Sequence, residues 1–374
     1  MFRSERNASS RGVGVTSIRA ASARIARRLE APTDVEHRHP GTVEELAETL
    51  SRASSEGRTV LVWGGGTHQG YGYPITPDLV LFTDRLATIV EWEPDDLTVV
   101  VEAGMAVADL EARLATRGQS AVLAEVPGAG TVGGALAAGI SGYRRGRFGP
   151  TRDRILEITL VTGDGRVVRA GGRVVKNVTG YDLPRLAVGS FGRLGVIVST
   201  CLKLWPLPET SATVSIDGDF QGEVYRPLAV LAQPRKTSVY LAGTQEEVAA
   251  QVARLDGESQ PGLIWPGPPS GNWTWSLRVP PPLAAGFVPT LPGDFVHQMG
   301  VGEISFTTED TEGMEDLRRK VEAAGGSLVV TGRPPGGEFE PWGRPPPGIE
   351  IQARLASAFD PARIVNPGRL PGRI

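Results

Sequence analysis

The chain has 374 residues, of which 40% are hydrophobic and 22% are charged, a composition typical of a globular protein with room for two domains. The formal net charge of −3 argues against a general affinity for nucleic acid, and no apolar run is long enough to cross a membrane. The single cysteine, Cys201, excludes an internal disulfide and an iron–sulfur cluster, which typically needs about four thiolates. We therefore expect a reduced, cytoplasmic setting, with any membrane association made through partner subunits.

The first 29 residues carry seven arginines and one acidic residue, Glu5. Transit peptides are rich in arginine and poor in acids, so this composition fits one. The alternative is a loosely ordered basic arm, or a start codon placed too early. We favour the arm and assign residues 1–36 to it.

A regular pattern of elements begins at Pro40. Thr42 is the predicted N-cap of a helix, with Glu45 three residues later completing a capping box. Alternating and continuous apolar runs predict further elements up to residue 208, where prolines end the last strand. The predicted strands are 59–63, 79–83, 87–92, 97–102, 155–162, 166–170 and 194–205, and a helix is predicted at 107–118.

A second unit is predicted at 209–347, as a small α+β cap built from two split βαβ halves. The predicted elements are strands at 228–231, 238–241, 301–307 and 327–331, and helices at 244–255 and 312–324. A proline-, glycine- and tryptophan-rich stretch at 261–293 separates the two halves, and 332–348 is a linker. A helix at 348–358 then begins a C-terminal segment, 348–374, that returns to the first domain, 37–208.

Three glycine-rich segments lie between the predicted elements of the first domain. They are WGGGTH at 63–68, PGAGTVGGALAAG at 127–139, and VVKNVTGYDL with GSFGRLGVI at 174–197. Consecutive glycines let backbone N–H groups converge on an anion, although each loop alone could be an ordinary turn. The second segment is neither a Rossmann G-x-G-x-x-G nor a P-loop, because no strand–helix context or Gly-Lys-Ser/Thr accompanies it. Together the three segments indicate a large nucleotide.

These motifs resemble the FAD-binding domain of the vanillyl-alcohol-oxidase family, also called PCMH-type. The segment RFGPTRD at 147–153 and the ending FDPARIVNPGRL at 359–370 resemble that family too. Within it, the chain is most similar to the short FAD-binding subunits of bacterial glycolate oxidases. The resemblance covers roughly 38–208 and 349–370. It implies an α+β fold with a two-subdomain FAD-binding domain and a small α+β cap.

The resemblance also implies which residues contact FAD. Backbone and hydroxyl donors on the first loop would hold the pyrophosphate, the second loop would line the pyrophosphate and flavin edge, and the third would follow the adenosine half. The implied FAD-binding residues are Gly64, Gly65, Gly66, Thr67, His68, Pro127, Gly128, Thr131, Val132, Gly133, Gly134, Gly139, Gly142, Gly195, Val196 and Ile197. His68 could carry the flavin covalently, as a histidine does in some relatives, but we favour non-covalent FAD.

The catalytic candidates are Lys176, Arg147 and His297, because flavin chemistry needs positive charge near the flavin and a base near the substrate. The alternative is that the two cations are solvated loop residues. His37 and His39 have no third ligand near in sequence, so we predict a surface pair and no metal site.

The predicted cap is short and contains a single histidine, unlike the histidine- and glutamate-rich substrate site of the larger 2-hydroxy-acid oxidases. We therefore expect a subunit that works with a larger FAD-containing oxidase subunit and an iron–sulfur subunit on a small 2-hydroxy acid, glycolate or D-lactate. Two alternatives stay open. One is a non-catalytic assembly subunit, and the other is a self-sufficient flavin oxidase whose pocket wall includes Trp265, Trp273 and Trp275.

Overall fold

The computed structural model describes residues 29–123, 130–173, 180–269 and 271–374. Its first domain consists of two subdomains, which are joined through residues 83–88. The strands of this domain are β1 (Glu36–Arg38), β2 (Val60–Trp63), β3 (Leu79–Phe82), β4 (Ile89–Glu93), β5 (Thr98–Glu102), β6 (Gln119–Ser120), β7 (Ile155–Val161), β8 (Val167–Gly171), β9 (Val196–Lys203) and β10 (Trp205–Pro206). The helices are α1 (Val43–Glu56), α2 (Val107–Ala115), α3 (Val132–Ala138), α4 (Arg145–Phe148) and α5 (Leu183–Ala187).

The smaller subdomain is a parallel three-stranded sheet, β1-β3-β2, covered by α1. The Thr42 side chain accepts the Glu45 N–H at 3.1 Å, which confirms the predicted N-cap. The Glu45 carboxylate, however, accepts the N–H of Gly41 at 2.7 Å rather than that of the cap residue. Leu46 and Leu50 are fully buried against the sheet, so the amphipathic stripe of α1 faces this core.

The larger subdomain is a five-stranded antiparallel sheet in the order β4-β5-β9-β7-β8, with β10 and β6 forming a separate short pair. Strand β9 lies at its centre and is buried at six of its eight positions, as expected for a strand covered on both faces. Helices α2 and α3 pack against this sheet. Cys201 is buried in β9, where desolvation raises the pKa of its thiol to about 11, so it is a small packing residue.

The cap is a single eight-stranded antiparallel sheet in the order β14-β11-β13-β12-β16-β17-β15-β18. Its strands are β11 (Thr210–Asp217), β12 (Ala229–Gln233), β13 (Lys236–Gly243), β14 (Glu258–Pro261), β15 (Trp273–Arg278), β16 (Phe295–Gln298), β17 (Glu303–Thr308) and β18 (Ser327–Gly332). Its helices are α6 (Gln245–Val252), α7 (Pro281–Phe287) and α8 (Met314–Ala323). The sequence did not predict β11, β14, β15 or β16. Strand β15 forms within the proline-rich stretch because Trp273 and Trp275 are buried in the core of the cap.

Helix α9 (Ile349–Phe359) begins the return to the first domain. After it, Val365 pairs in parallel with Val60, so the tail extends the small sheet beside β2. Asp360, fully buried, pairs with Arg193 at 2.9 Å and accepts the N–H groups of Ile364 and Val365. The tail is thus tied to the glycine-rich segment before β9. None of the helices among the described residues has the length and hydrophobicity needed to span a bilayer.

Candidate functional site

A cleft with a cavity volume of about 80 Å³ lies between the two subdomains of the first domain. Four segments that are far apart in sequence form its walls: the loop after β2, helix α3, the start of β9 and the C-terminal tail. Its lining residues include Gly64, Gly65, Gly66, Thr67, His68, Gly133, Gly134, Ala138, Phe191, Gly195, Val196, Ile197, Asn366 and Arg369.

Glycine is required at two points where these segments approach each other. A Cβ at Gly64 would collide with the Thr131 hydroxyl, which accepts the Gly134 N–H as N-cap of α3. Gly195 has a φ of +123°, and its Cβ would lie 2.5 Å from the carbonyl oxygen of Val161. The walls therefore come close enough for backbone groups to reach a ligand in the cleft.

Arg369 supplies positive charge to this cleft. It is 4% exposed and donates to the Gln69 side chain at 2.7 Å and to the backbone carbonyls of His68 and Gln69. Its buried Nε has no hydrogen-bond partner among the described residues. Burial, with Arg333 nearby, lowers the pKa of Arg369 to about 10, so the guanidinium stays charged at neutral pH. A buried cation with an unused donor beside a glycine-lined wall fits a diphosphate.

His68 lies in the same wall as a neutral side chain. Its Nδ1 is 3.0 Å from the hydroxyl of Thr67. Desolvation and the neighbouring Arg369 lower the pKa of His68 to about 4. The imidazole is therefore uncharged at neutral pH and contributes packing and hydrogen bonding rather than charge.

A second cavity of about 540 Å³ lies between the first domain and the cap. Ala138 and Phe191 line both cavities, so the two meet at the end of α3. Tyr71 and Arg145 reach this second cavity from the first domain, and Ser276 and Arg278 reach it from β15 of the cap. Desolvation raises the pKa of Tyr71 to about 12, which keeps its hydroxyl protonated.

The structure brings many of the sequence-predicted cofactor residues to these walls. Gly64, Gly65, Gly66, Thr67, His68, Gly133, Gly134, Gly195, Val196 and Ile197 line the first cavity, and Gly139 lines the second. Thr131 caps α3 and Val132 is buried in the core, so both support the wall from behind. Gly142 lines neither cavity. Pro127 and Gly128 lie outside the described residues.

Neither of the two catalytic candidates that the structure describes, Arg147 and His297, lines the two cavities. Lys176 lies outside the described residues. Arg147 is exposed and lines a separate groove between α4 and the cap, because the short helix turns Arg145 rather than Arg147 into the interdomain cavity. His297 is buried in the middle of the cap sheet, paired with Ala232 and Ile304, and burial lowers its pKa.

The histidine pair and the cap tryptophans that the sequence singled out make packing and hydrogen-bond contacts of their own. His39 pairs with Asp84 at 2.9 Å and stacks on Phe82, while His37 bonds the Pro32 carbonyl oxygen, so each histidine has its own partners. Trp273 and Trp275 are buried in the core of the cap and do not line the interdomain cavity. Sequence reasoning missed Tyr71, Arg145, Arg278 and Arg369. The available signal for Tyr71 and Arg369 was their position beside motifs already identified, GGGTHQGY and NPGR.

Comparisons with known proteins agree with this geometry. Residues 38–171 match the FAD binding domain family. The chain is 29% identical to the glycolate oxidase subunit GlcE of Escherichia coli, over 87% of this chain and 97% of that protein. Residues 38–171 therefore form an FAD-binding domain, and the chain as a whole is similar to an FAD-dependent oxidoreductase subunit.

A second relative matches about half of this chain. The glycolate oxidase subunit GlcD of Bacillus subtilis is 32% identical over 47% of this chain, and the match spans 38% of that protein. Among solved structures, alkyldihydroxyacetonephosphate synthase superimposes with a TM-score of 0.63 at 14% identity, covering 88% of this chain and 75% of that one. This likeness shows the fold, and with the family match it confirms the predicted fold class.

Proposed function

We propose that this chain is the FAD-binding subunit of a glycolate-oxidase-like complex that oxidises a small 2-hydroxy acid, glycolate or D-lactate. The observation that carries the proposal is the junction of two cavities at Ala138: a glycine-walled cleft with a buried cation leads into an arginine-lined space under the cap. An extended dinucleotide with its diphosphate beside Arg369 would present its flavin to the cap.

The names of the relatives support the multi-subunit part of the proposal, since two of them are glycolate oxidase subunits. With one cysteine, this chain has no thiolate set for an iron–sulfur relay. We therefore propose a larger FAD-containing subunit and an iron–sulfur subunit as partners, in the cytoplasm, with any membrane contact made through them.

FAD, when bound, supplies a two-electron acceptor. In our proposal the loop at Gly64–Thr67 contacts the pyrophosphate, Gly195 and Ile197 follow the adenosine half, and Gly139 lies beside the flavin. The functional units are the FAD domain at 37–208, the cap at 209–347 and the returning segment at 348–374.

The first experiment tests cofactor binding. The purified chain mixed with FAD and desalted is expected to retain flavin absorbance near ~450 nm. Ala138→Phe places a ring at the junction of the two cavities, and we expect it to weaken FAD binding by about a hundred-fold, the loss of roughly 3 kcal/mol. Ala249→Phe, on the exposed face of α6, is the matched control and should bind FAD like the wild type. Absence of retained flavin in the wild type would overturn the proposal.

The second experiment separates the open alternatives. Glycolate or D-lactate is added anaerobically to the flavin-loaded chain, alone and with co-purified partners, and bleaching of the flavin is recorded. Bleaching only with partners supports the proposed complex. Bleaching of the isolated chain indicates a self-sufficient oxidase, and bleaching in neither case indicates a non-catalytic assembly subunit.

A further inference from the structure

The interdomain cavity has a strong excess of positive charge. The arginines that line it are Arg145, Arg152, Arg185, Arg193 and Arg278. Among the described residues of its wall there is no aspartate or glutamate. A cavity lined by one sign of charge attracts and holds ligands of the opposite sign.

Most of these arginines are accounted for elsewhere. Arg193 is paired with the buried Asp360, and Arg185 pairs with Asp153 at 3.4 Å and Asp182 at 3.3 Å. Arg152 is exposed to solvent. Arg278 is exposed as well, but of these five arginines only Arg145 and Arg278 share a carboxylate across the domain boundary.

These two arginines share a single carboxylate. Glu303 on β17 contacts Arg145 through Oε2 at 3.3 Å and Arg278 through Oε1 at 3.1 Å. The Glu303 side chain is 15% exposed and is set behind the cavity wall, whereas 48% of the Arg278 side chain is uncovered. Arg278 lines the cavity, whereas Glu303 is not among its lining residues. The triad carries a net charge of +1.

Tyr71 adds a neutral donor to the triad. It comes from the loop after β2, its hydroxyl lies within hydrogen-bonding range of Thr331 on β18, and it is near both Arg278 and Glu303. Because its pKa is raised to about 12, the phenol contributes no charge at neutral pH. The net charge of the site is thus set by two arginines and one glutamate.

We propose that Glu303 tunes the arginine pair to accept a small monocarboxylate and to discriminate against a dicarboxylate. This inference rests on the proposed function, because it names the specificity device of the same site. A monocarboxylate on Arg278 brings the triad to neutrality. A dianion adds a second negative charge that the triad does not match, and an unmatched charge in an enclosed site is costly.

The test compares two redox-inert probes of equal carbon number, propionate and malonate, at mildly alkaline pH where malonate carries two charges. Binding is measured by calorimetry on the flavin-loaded chain and by thermal shift with and without FAD. The wild type is expected to bind propionate more tightly. Glu303→Gln raises the net charge of the triad by one and is expected to move the propionate-to-malonate affinity ratio toward malonate by about ten-fold or more.

Two further variants keep the test decisive. Arg278→Gln should weaken both probes by about ten-fold, as expected for a lost charge-assisted contact. Arg145→Gln should also weaken the binding of both probes, with the preference for propionate retained. It takes the place of Glu303→Gln in the test if Glu303→Gln fails to fold. Arg319→Gln, an exposed α8 arginine paired with Asp316, is the control in the same domain and should change nothing.

Equal binding of both probes to the wild type, or an unchanged ratio in Glu303→Gln, would overturn the inference. The inference would also be overturned if Arg278→Gln changed the redox potential of the bound flavin without changing the affinity for either probe. That result would assign Arg278 to the cofactor. Failure of the proposed function has a different signature, since no flavin is then retained whatever the probes do.

Discussion

At the scale of single residues, the shape and the charge of the cleft depend on one arginine, Arg369, which a lysine could not replace. The planar guanidinium of Arg369 satisfies three acceptors in the loop after β2 and still has a buried Nε without a partner among the described residues. The N–H donors of a lysine all share one nitrogen, so a lysine could not hold the loop in this way. The same residue thus fixes the shape of the wall and supplies its charge.

A pH prediction belongs at this scale. The pKa of His68 is about 4 in the folded chain and near 6.5 when unfolded, so between these values the unfolded state binds more protons. The free energy of unfolding should therefore fall as pH drops from 6.5 towards 4, by up to ~3 kcal/mol at about 1.4 kcal/mol per pKa unit. Urea unfolding of the flavin-free chain across this pH range measures it.

His68→Gln is the variant that isolates this effect. It removes the titrating group from a half-buried position, so its stability should vary less with pH over the same range than that of the wild type. Identical pH profiles for wild type and His68→Gln would contradict the assignment.

At the scale of elements, the C-terminal tail is the part that closes the FAD domain. Its backbone pairs with β2, and the Asn366 side chain accepts the Val62 N–H at 3.0 Å and donates to the Phe191 carbonyl at 2.7 Å. These contacts join the loop after β2, the segment before β9 and the tail. The residues that line the cleft are held in place by this joint.

The Arg193–Asp360 pair is the central contact of the joint, and its loss should be severe. Asp360→Ala leaves a buried guanidinium without its carboxylate and two backbone N–H groups without an acceptor. We expect a loss of about 3–5 kcal/mol in the free energy of unfolding, measured by urea denaturation. Asp316→Ala breaks an exposed pair on α8 and should cost less than about 1 kcal/mol. Similar losses in both variants would show that the tail does not depend on this pair.

At the scale of the whole molecule, Glu340 connects the cap to the FAD domain. Its carboxylate accepts the Tyr73 hydroxyl of the FAD domain at 2.7 Å and pairs with Arg318 of α8 at 3.2 Å. Next to it, the Trp342 indole donates to the Arg369 carbonyl at 2.9 Å. The wall of the cleft and the cap are therefore linked by one short segment.

Glu340→Ala should loosen this link. Arg318, which is buried, loses its carboxylate and Tyr73 loses its acceptor, so we expect the cap to unfold earlier, with a cost of about 1–3 kcal/mol. Scanning calorimetry, with release of bound flavin as a second signal, measures whether the two domains still unfold together. Glu338→Ala, at an exposed position two residues earlier, is the control. A single unshifted transition in Glu340→Ala would show that the link lies elsewhere.

Much of the FAD domain could be predicted because its signals are local. The Thr42 cap, the apolar strand β9 and the hairpin β7–β8 each follow from residues close together in the chain. The cap was predicted less completely. Strands β11, β14, β15 and β16 carry weak or mixed patterns, and they form because antiparallel neighbours and the tryptophan-containing core select them.

The sequence by itself determined the glycine-rich walls, since a glycine's backbone freedom and its place after a strand are encoded by immediate neighbours. Only the tertiary structure decided where the charge lies. Tyr71, Arg145, Arg278 and Glu303 come from two domains and are separated by more than two hundred residues in the extreme case. No short-range pattern links such residues, because their meeting depends on how the cap sheet pairs and how the tail closes the FAD domain beneath it.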